Sequence, residues 1–104
     1  MEMIHVIATV RVKSDMIDQF LELFKSTARH VREEKGCIQY IATVDIVSNL
    51  PPQILDPNIV TFIEKWESLD ALRNHLVAPH MKVFFEKRKD MVEGGSLLKV
   101  LQEA

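Results

Sequence analysis

Apolar and polar residues alternate over residues 3–13 (MIHVIATVRVK). Ile4, Val6, Ala8, Val10 and Val12 fall on one side; His5, Ile7, Thr9, Arg11 and Lys13 fall on the other. A period of two with β-branched residues on the apolar side predicts a half-buried strand. The period then lengthens. Ile17, Phe20, Leu21, Phe24, Ala28 and Val31 recur at helical spacing, with Asp18, Glu22, Lys25, Arg29 and Arg32 mostly off that stripe, so an amphipathic helix follows. Ser14 and Asp15 offer N-cap oxygens. Gly36 can take the left-handed conformation that closes a helix, which places the end near Lys35.

Residues 37–47 (CIQYIATVDIV) predict a second strand, with Ile38, Tyr40, Ala42, Val44 and Ile46 on one face. Ser48 to Pro57 (SNLPPQILDP) contains three prolines, which exclude a regular strand or helix interior. The stretch is longer than a usual hairpin loop. It suits a solvated connector, a cover over a pocket or a contact with a neighbouring subunit. Residues 58–67 predict a third strand, with Val60, Phe62, Glu64 and Trp66 on one side and Ile59, Thr61, Ile63 and Lys65 on the other. Ser68 caps a short helix carrying Leu69, Leu72 and Leu76, and Pro79 ends it and can open the next. That next helix carries Met81, Phe84, Phe85 and Met91, with Gly94 and Gly95 as its terminator. Residues 96–102 predict a last strand with Leu98 and Val100 on one face.

With the two short helices counted as one broken helix, this order is the split βαβ arrangement. The predicted fold is therefore α+β and ferredoxin-like: one domain over residues 1–104, with a four-stranded antiparallel sheet and helices on one face. Helices can cover only one side of that sheet. The other side carries His5, Ile7 and Thr9, and Ile41 and Thr43 or their alternates. To these the third strand adds either Ile59 and Ile63 or Val60, Phe62 and Trp66. Both assignments leave large apolar groups uncovered, and a two-fold copy of the chain is the simplest cover. A homodimer is expected.

Composition narrows the partners. Of the 104 residues, 47% are hydrophobic and 27% charged, an ordinary globular balance that argues against disorder. The net charge of −2 gives no basic stripe for nucleic acid, and the basic cluster Lys82 to Lys89 is diluted by Glu86 and two phenylalanines. A single cysteine, Cys37, excludes an internal disulfide. No apolar run approaches a membrane span. The chain enters its first alternating pattern at Met3 without a signal-peptide layout, so the cytoplasm is the expected location.

Familiar cofactor signatures are absent: no glycine-rich phosphate loop, dinucleotide fingerprint, HExxH motif or paired cysteines. One constellation remains, with Glu64 and Trp66 at the end of the third strand and His75 and His80 in the helical region after it. A histidine can take or give a proton near neutrality, and an indole supplies an apolar wall with one N–H donor. Each residue also has a plain structural reading. His75 can sit at a helix C-terminus, favoured by the dipole, Trp66 and Tyr40 can be core, and Glu64 can pair with a lysine. The offset of five between His75 and His80 does not follow the i, i+4 pattern of one helical face, and no third ligand is evident. No metal is expected. His5 and His30 read as surface or interface residues.

The segments IHVIATVRVK, EEKGCIQY, FIEKWESLDALRNH and APHMKVF together resemble the antibiotic biosynthesis monooxygenase family over nearly the whole chain. That resemblance implies a dimeric α+β barrel with an open pocket in each subunit between sheet and helices. Its characterised branches include quinol or anthrone monooxygenases that use no flavin or metal, enzymes processing a small autoinducer derivative, and heme-degrading enzymes. The arrangement of His75 and His80, with a proline before the second, is similar to the first two branches. The heme-degrading branch fits poorly, because His75 stands where its catalytic tryptophan would be and Phe85 where its histidine would be. The resemblance implies a cofactor-independent monooxygenase acting on a small quinol-like or phenolic substrate. His75 would be the base or anion-stabilising donor, His80 second choice for that role, Trp66 the wall and Tyr40 an orienting hydroxyl. Glu64 would orient a histidine. The alternatives are a non-oxidative isomerase on a small oxygenated metabolite and a ligand-binding or dimerisation module without catalysis.

Overall fold

The computed structural model describes residues 3–104. Its strands are β1 (Ile4–Arg11), β2 (Cys37–Val44), β3 (Ile59–Trp66) and β4 (Leu97–Gln102), and its helices α1 (Ile17–Val31), α2 (Leu69–Leu76) and α3 (Pro79–Arg88). The strands form one antiparallel sheet in the order β2-β3-β1-β4. This is the expected ferredoxin-like arrangement, with two βα units interleaved so that the first and third strands lie at the centre.

The alternation in β1 and β3 has its predicted consequence. Ile4, Val6 and Val10 are buried, as are Val60, Phe62, Glu64 and Trp66 opposite them. Helix α1 lays Phe20, Phe24, Ala28 and Val31 onto that face. The Phe24 ring stacks on Tyr40 and on Phe62 at 5.2 Å in each case, and such pairs stabilise beyond the area they bury.

Several boundaries differ from the sequence reading. Ser14–Met16 form a 3-10 turn and neither end of it nor the start of α1 is capped by a side chain, so the expected cap by Ser14 or Asp15 does not form. Helix α1 stops at Val31 and not near Lys35. The chain leaves through tight turns, with Glu33 N–H on His30 O, Glu34 N–H on Val31 O and Cys37 N–H on Glu34 O. Gly36 still carries the left-handed backbone, φ +87°, but as the last residue of those turns. In β2 the register shifts between Cys37 and Gln39, so Cys37 pairs with Trp66 and Ile38 is set aside in a bulge. Ile38 is consequently exposed, where simple alternation had placed it inside. Ile46 lies beyond the end of β2 and is also exposed.

Helix α3 ends at Arg88, well before Gly94. The reason is a competing pairing: Lys13 N–H bonds Met91 O, Glu93 N–H bonds Arg11 O, and Val92 bridges Val12. Met91 is thus packed against the core from a loop and not from the helix. The Ser68 cap forms as expected, accepting from Ala71 N–H at 3.1 Å, and Pro79 opens α3. The loop 48–57 is tied down by Arg11 on Asp56 at 2.7 Å and by Gln53 Nε2 on Ile46 O at 2.7 Å. Its apolar residues Leu50, Ile54 and Leu55 face outward.

Strand β4 pairs with β1 yet no helix covers it, and all its residues are exposed, Leu97, Leu98, Val100 and Leu101 among them. An edge strand with apolar side chains on both faces invites further association.

Gly36 is the tightest joint of the fold. A Cβ there would lie 2.6 Å from the Ala71 Cβ of α2, while its carbonyl accepts from Glu67 N–H. Gly36→Ala is expected to destabilise the domain by about 2–4 kcal/mol, combining the left-handed backbone cost with the clash. Gly95→Ala, which meets open space, is expected to leave the denaturant midpoint unchanged. Equal midpoints for both variants would refute this account of the joint.

Candidate active site

Three turns of chain converge beneath the sheet. The exit from α1 carries Glu34, the last turn of α2 carries His75, and the first turn of α3 carries His80. Glu34 Oε2 lies 2.9 Å from His75 Nδ1 and 2.6 Å from His80 Nε2. An ionised carboxylate can only accept, so both ring nitrogens facing it carry hydrogen. In the neutral imidazole of His75 this leaves Nε2 as the acceptor. That nitrogen points toward Glu64, whose Oε1 is 4.0 Å away. Glu64 Oε1 in turn accepts from the Trp66 indole N–H at 3.0 Å.

Packing fixes the imidazole as well as hydrogen bonding does. The Trp66 ring lies 4.6 Å from that of His75, centroid to centroid, and the edge of Tyr40 lies at 5.3 Å. His75 is 1% exposed. A ring held on three sides loses little further freedom when it accepts a proton from a ligand, which is what a positioned base requires.

Beside this group lies a cavity of about 180 Å³ between the sheet, α2 and α3. Its walls are mostly apolar, from Ala8, Val10, Phe62, Met81 and Phe84, with Phe85, Leu97 and Leu98 at the α3 and β4 side. Tyr40, Glu64, His75, Arg88 and Ser96 supply its polar groups. An apolar cavity of roughly 150 Å³ accepts benzene, so one ring or a small fused pair matches the space. Burial, followed by the charges of Glu64 and Glu34, pushes the Tyr40 phenol well up, which makes it a hydroxyl donor and not a base.

The residues expected from sequence separate into two groups. Tyr40, Glu64 and His75 line the cavity. Trp66 packs behind His75 and holds Glu64, so it supports the wall rather than forming it. His80 faces Glu34 on the side away from the cavity, partly exposed, with His30 stacked on it at 5.7 Å. Glu64 pairs with no lysine among the described residues; its partner is the indole. The loop 48–57 contributes nothing to the cavity lining.

Glu34 and Arg88 were not singled out from sequence. Glu34 sits in EEKG, where only the turn after α1 decides which of two adjacent glutamates points inward. Glu34 also supplies the third metal-ligating residue that the spacing of the histidines lacked: Glu34, His75 and His80 offer atoms all within 4.8 Å of one another. A carboxylate with two imidazoles suits a first-row divalent ion. Glu34 Oε2 already accepts from both rings, so the cluster is self-consistent as a hydrogen-bonded relay.

The sequence pattern described as antibiotic biosynthesis monooxygenase matches residues 3–87. The chain belongs to the antibiotic biosynthesis monooxygenase family. Its similarity extends to the Escherichia coli (strain K12) protein named probable quinol monooxygenase YgiN, 34% identical over 98 residues that cover 88% of this chain and 90% of that one. Among solved structures of the same fold, a conserved protein of Methanosarcina mazei Go1 superposes with a TM-score of 0.87 at 24% identity, covering all of this chain and 95% of the other. Rv0793 from Mycobacterium tuberculosis superposes with a TM-score of 0.82 at 20% identity, covering 98% and 95%. The matched region of the family ends at residue 87, so it takes in Glu34, Glu64, His75 and His80 and stops one residue short of Arg88.

Burial raises the Glu64 carboxyl above its ordinary value, opposed by the Trp66 N–H and by His75. The folded protein therefore holds this proton more tightly than the unfolded chain does. The contribution of Glu64 to stability is complete below the unfolded value and declines as pH rises through the raised folded one. Glu64→Gln keeps an acceptor for the indole and removes the buried charge. Its melting temperature is expected to exceed that of the unmodified protein at about pH 8, by about 4–8 °C per kcal/mol relieved. The difference is expected to vanish near pH 4. A constant difference across that range would show that the buried charge is not what the substitution relieves.

Proposed function

We propose that this protein is a cofactor-independent monooxygenase that oxidises a small phenolic or quinol substrate in the cytoplasm, working as a homodimer. The observation that carries the reading is the His75 imidazole, held through Nδ1 on Glu34 with Nε2 left free beside an apolar cavity. The family and the name of the YgiN relative favour the same chemistry.

Ground-state oxygen is a triplet and reacts slowly with closed-shell molecules. A quinol becomes a one-electron donor once deprotonated. His75 Nε2 takes the hydroxyl proton, and the Glu34 carboxylate stabilises the imidazolium that results. The quinol anion passes one electron to oxygen, and the resulting radical pair recombines to a ring peroxide. His75 returns its proton to that peroxide. Loss of water then leaves a hydroxyquinone, with one oxygen atom in the product, the other in water and all electrons drawn from the substrate. The apolar walls keep bulk water from the anion, and the Tyr40 hydroxyl, on the cavity lining, is available to orient the substrate oxygen. Glu34 and His80 offer a way for the proton to reach solvent without crossing the cavity.

The dimer reading is supported by surface that one chain leaves uncovered. Ile7, Ile41 and Ile63 lie on the sheet face away from the helices, and β4 exposes leucines and a valine. Of these, Leu97 and Leu101 lie opposite Thr9 and His5 on the same side as Ile7, and a second copy is the common cover for such an apolar face.

Two measurements test this reading. With a panel of hydroquinones and naphthohydroquinones, oxygen uptake is expected at one O₂ per quinol. His75→Ala is expected to lower kcat by about 10²–10⁴. Glu34→Gln is expected to lower kcat with little change in KM, since it acts through the histidine. No uptake across the panel, together with identical ligand binding by His75→Ala, would favour a binding module instead. Sedimentation is expected to give a species of twice the 12.0 kDa chain mass at micromolar concentration, and a stable monomer there would remove the dimer.

A further inference from the structure

Arg88 is the one guanidinium or ammonium group lining the cavity among the described residues. Helix α3 brings it there. Met81, Phe84, Phe85 and Arg88 follow at spacings of three and four, so one stripe of the helix faces the cavity. The guanidinium lies over two rings, 4.9 Å from the Phe85 centroid and 5.6 Å from that of Phe84. Cation–π contacts of this kind fix the side chain without neutralising it. No carboxylate among the described residues lies within ion-pair distance of it, and it donates no hydrogen bond to them, although the surface lysines and arginines of α1, α2 and α3 that do pair choose acids one turn away. Arginine carries a planar fork suited to a carboxylate, and a half-buried one that faces an apolar cavity without an acid is a recognition group lacking its counterpart.

Its place along the helix matters. His80, beside Glu34 and His75, opens α3, and Arg88 closes it, about 12 Å further along at 1.5 Å per residue. The proton acceptor His75 and the cation Arg88 both line one largely apolar cavity. Glu64 lies beside His75, and its hydrogen-bond partner is the Trp66 indole.

We propose that the cavity binds a hydroxylated aromatic acid, with the hydroxyl at His75 and a carboxylate elsewhere on the ring system paired with Arg88. This rests on the monooxygenase reading for the role of the hydroxyl, and adds the acidic group as the determinant of specificity. Arg88 holds the ring in register, and a neutral quinol occupies the same space with less preference for one orientation.

Binding measured without turnover tests this separately from catalysis. Under anaerobic conditions, isothermal titration calorimetry compares 6-hydroxy-2-naphthoate with 2-naphthol, which share a ring system and hydroxyl and differ in the acid. The folded protein is expected to bind the acid about tenfold or more tightly, the worth of one charge-assisted pair. Arg88→Met is expected to bring the two affinities within about twofold. Arg88→Lys is expected to keep part of the preference, retaining charge without the fork. Circular dichroism melts confirm that each variant is folded, and Arg88→Lys carries the test should Arg88→Met not be. Equal affinities in the unmodified protein, a preference that survives Arg88→Met, or no binding of either compound would overturn the proposal. Oxygen uptake with neutral quinols alongside equal affinities would defeat this inference alone. An acid preference without any uptake would defeat the monooxygenase reading and leave Arg88 as an anion-binding residue.

Discussion

One carboxylate holds the functional end of this domain together. Glu34 accepts from His75 and from His80, and so joins the turn after α1 to the end of α2 and the start of α3. These segments are far apart in sequence, separated by 41 and 46 residues at the two contacts. A hydrogen bond to a charged group is worth roughly twice a neutral one, and two of them on one oxygen define the position of both rings. The orientation of His75 follows: with Nδ1 engaged, only Nε2 can meet a ligand.

The rest of the site depends on how charge and packing are divided around that pair. Trp66 and Tyr40 clamp the imidazole, while the Trp66 N–H gives the buried Glu64 carboxyl a partner. A buried polar group without a partner is costly, and none of the described buried side chains lacks one. The site is thus ordered before any ligand arrives. What is left open is an apolar space with a few polar groups at its ends, a common form for a small-molecule pocket.

The sheet explains why such a small domain can hold a cavity at all. Its helix-facing side is filled by α1 with Phe20 and Phe24 against Phe62 and Tyr40. The shorter α2 and α3 cover less, and β4 is left without a helix above it. The gap between α3 and β4 is the cavity. The same incomplete coverage leaves the leucines of β4 exposed, so the pocket and the apolar edge have one origin.

Much of this was legible in the order of residues. Strict alternation in β1 and β3 and the helical stripe of α1 are local patterns with a single fold-compatible reading, and Ser68 and Pro79 mark their helix starts by side-chain chemistry alone. Tyr40, Glu64 and His75 were legible as candidates because each is a polar group on an apolar face. Tertiary structure decided the remainder. The bulge at Ile38 and the loss of Met91 from α3 come from pairing with distant strands, which no local period encodes, and α1 ends early in a run of tight turns. Glu34 became a partner of His75, Trp66 a support behind it, and Arg88 a wall of the cavity, because direction and neighbours are set by how helices pack across the sheet. Periodicity reports which face a residue occupies; only the assembled fold determines what stands opposite it.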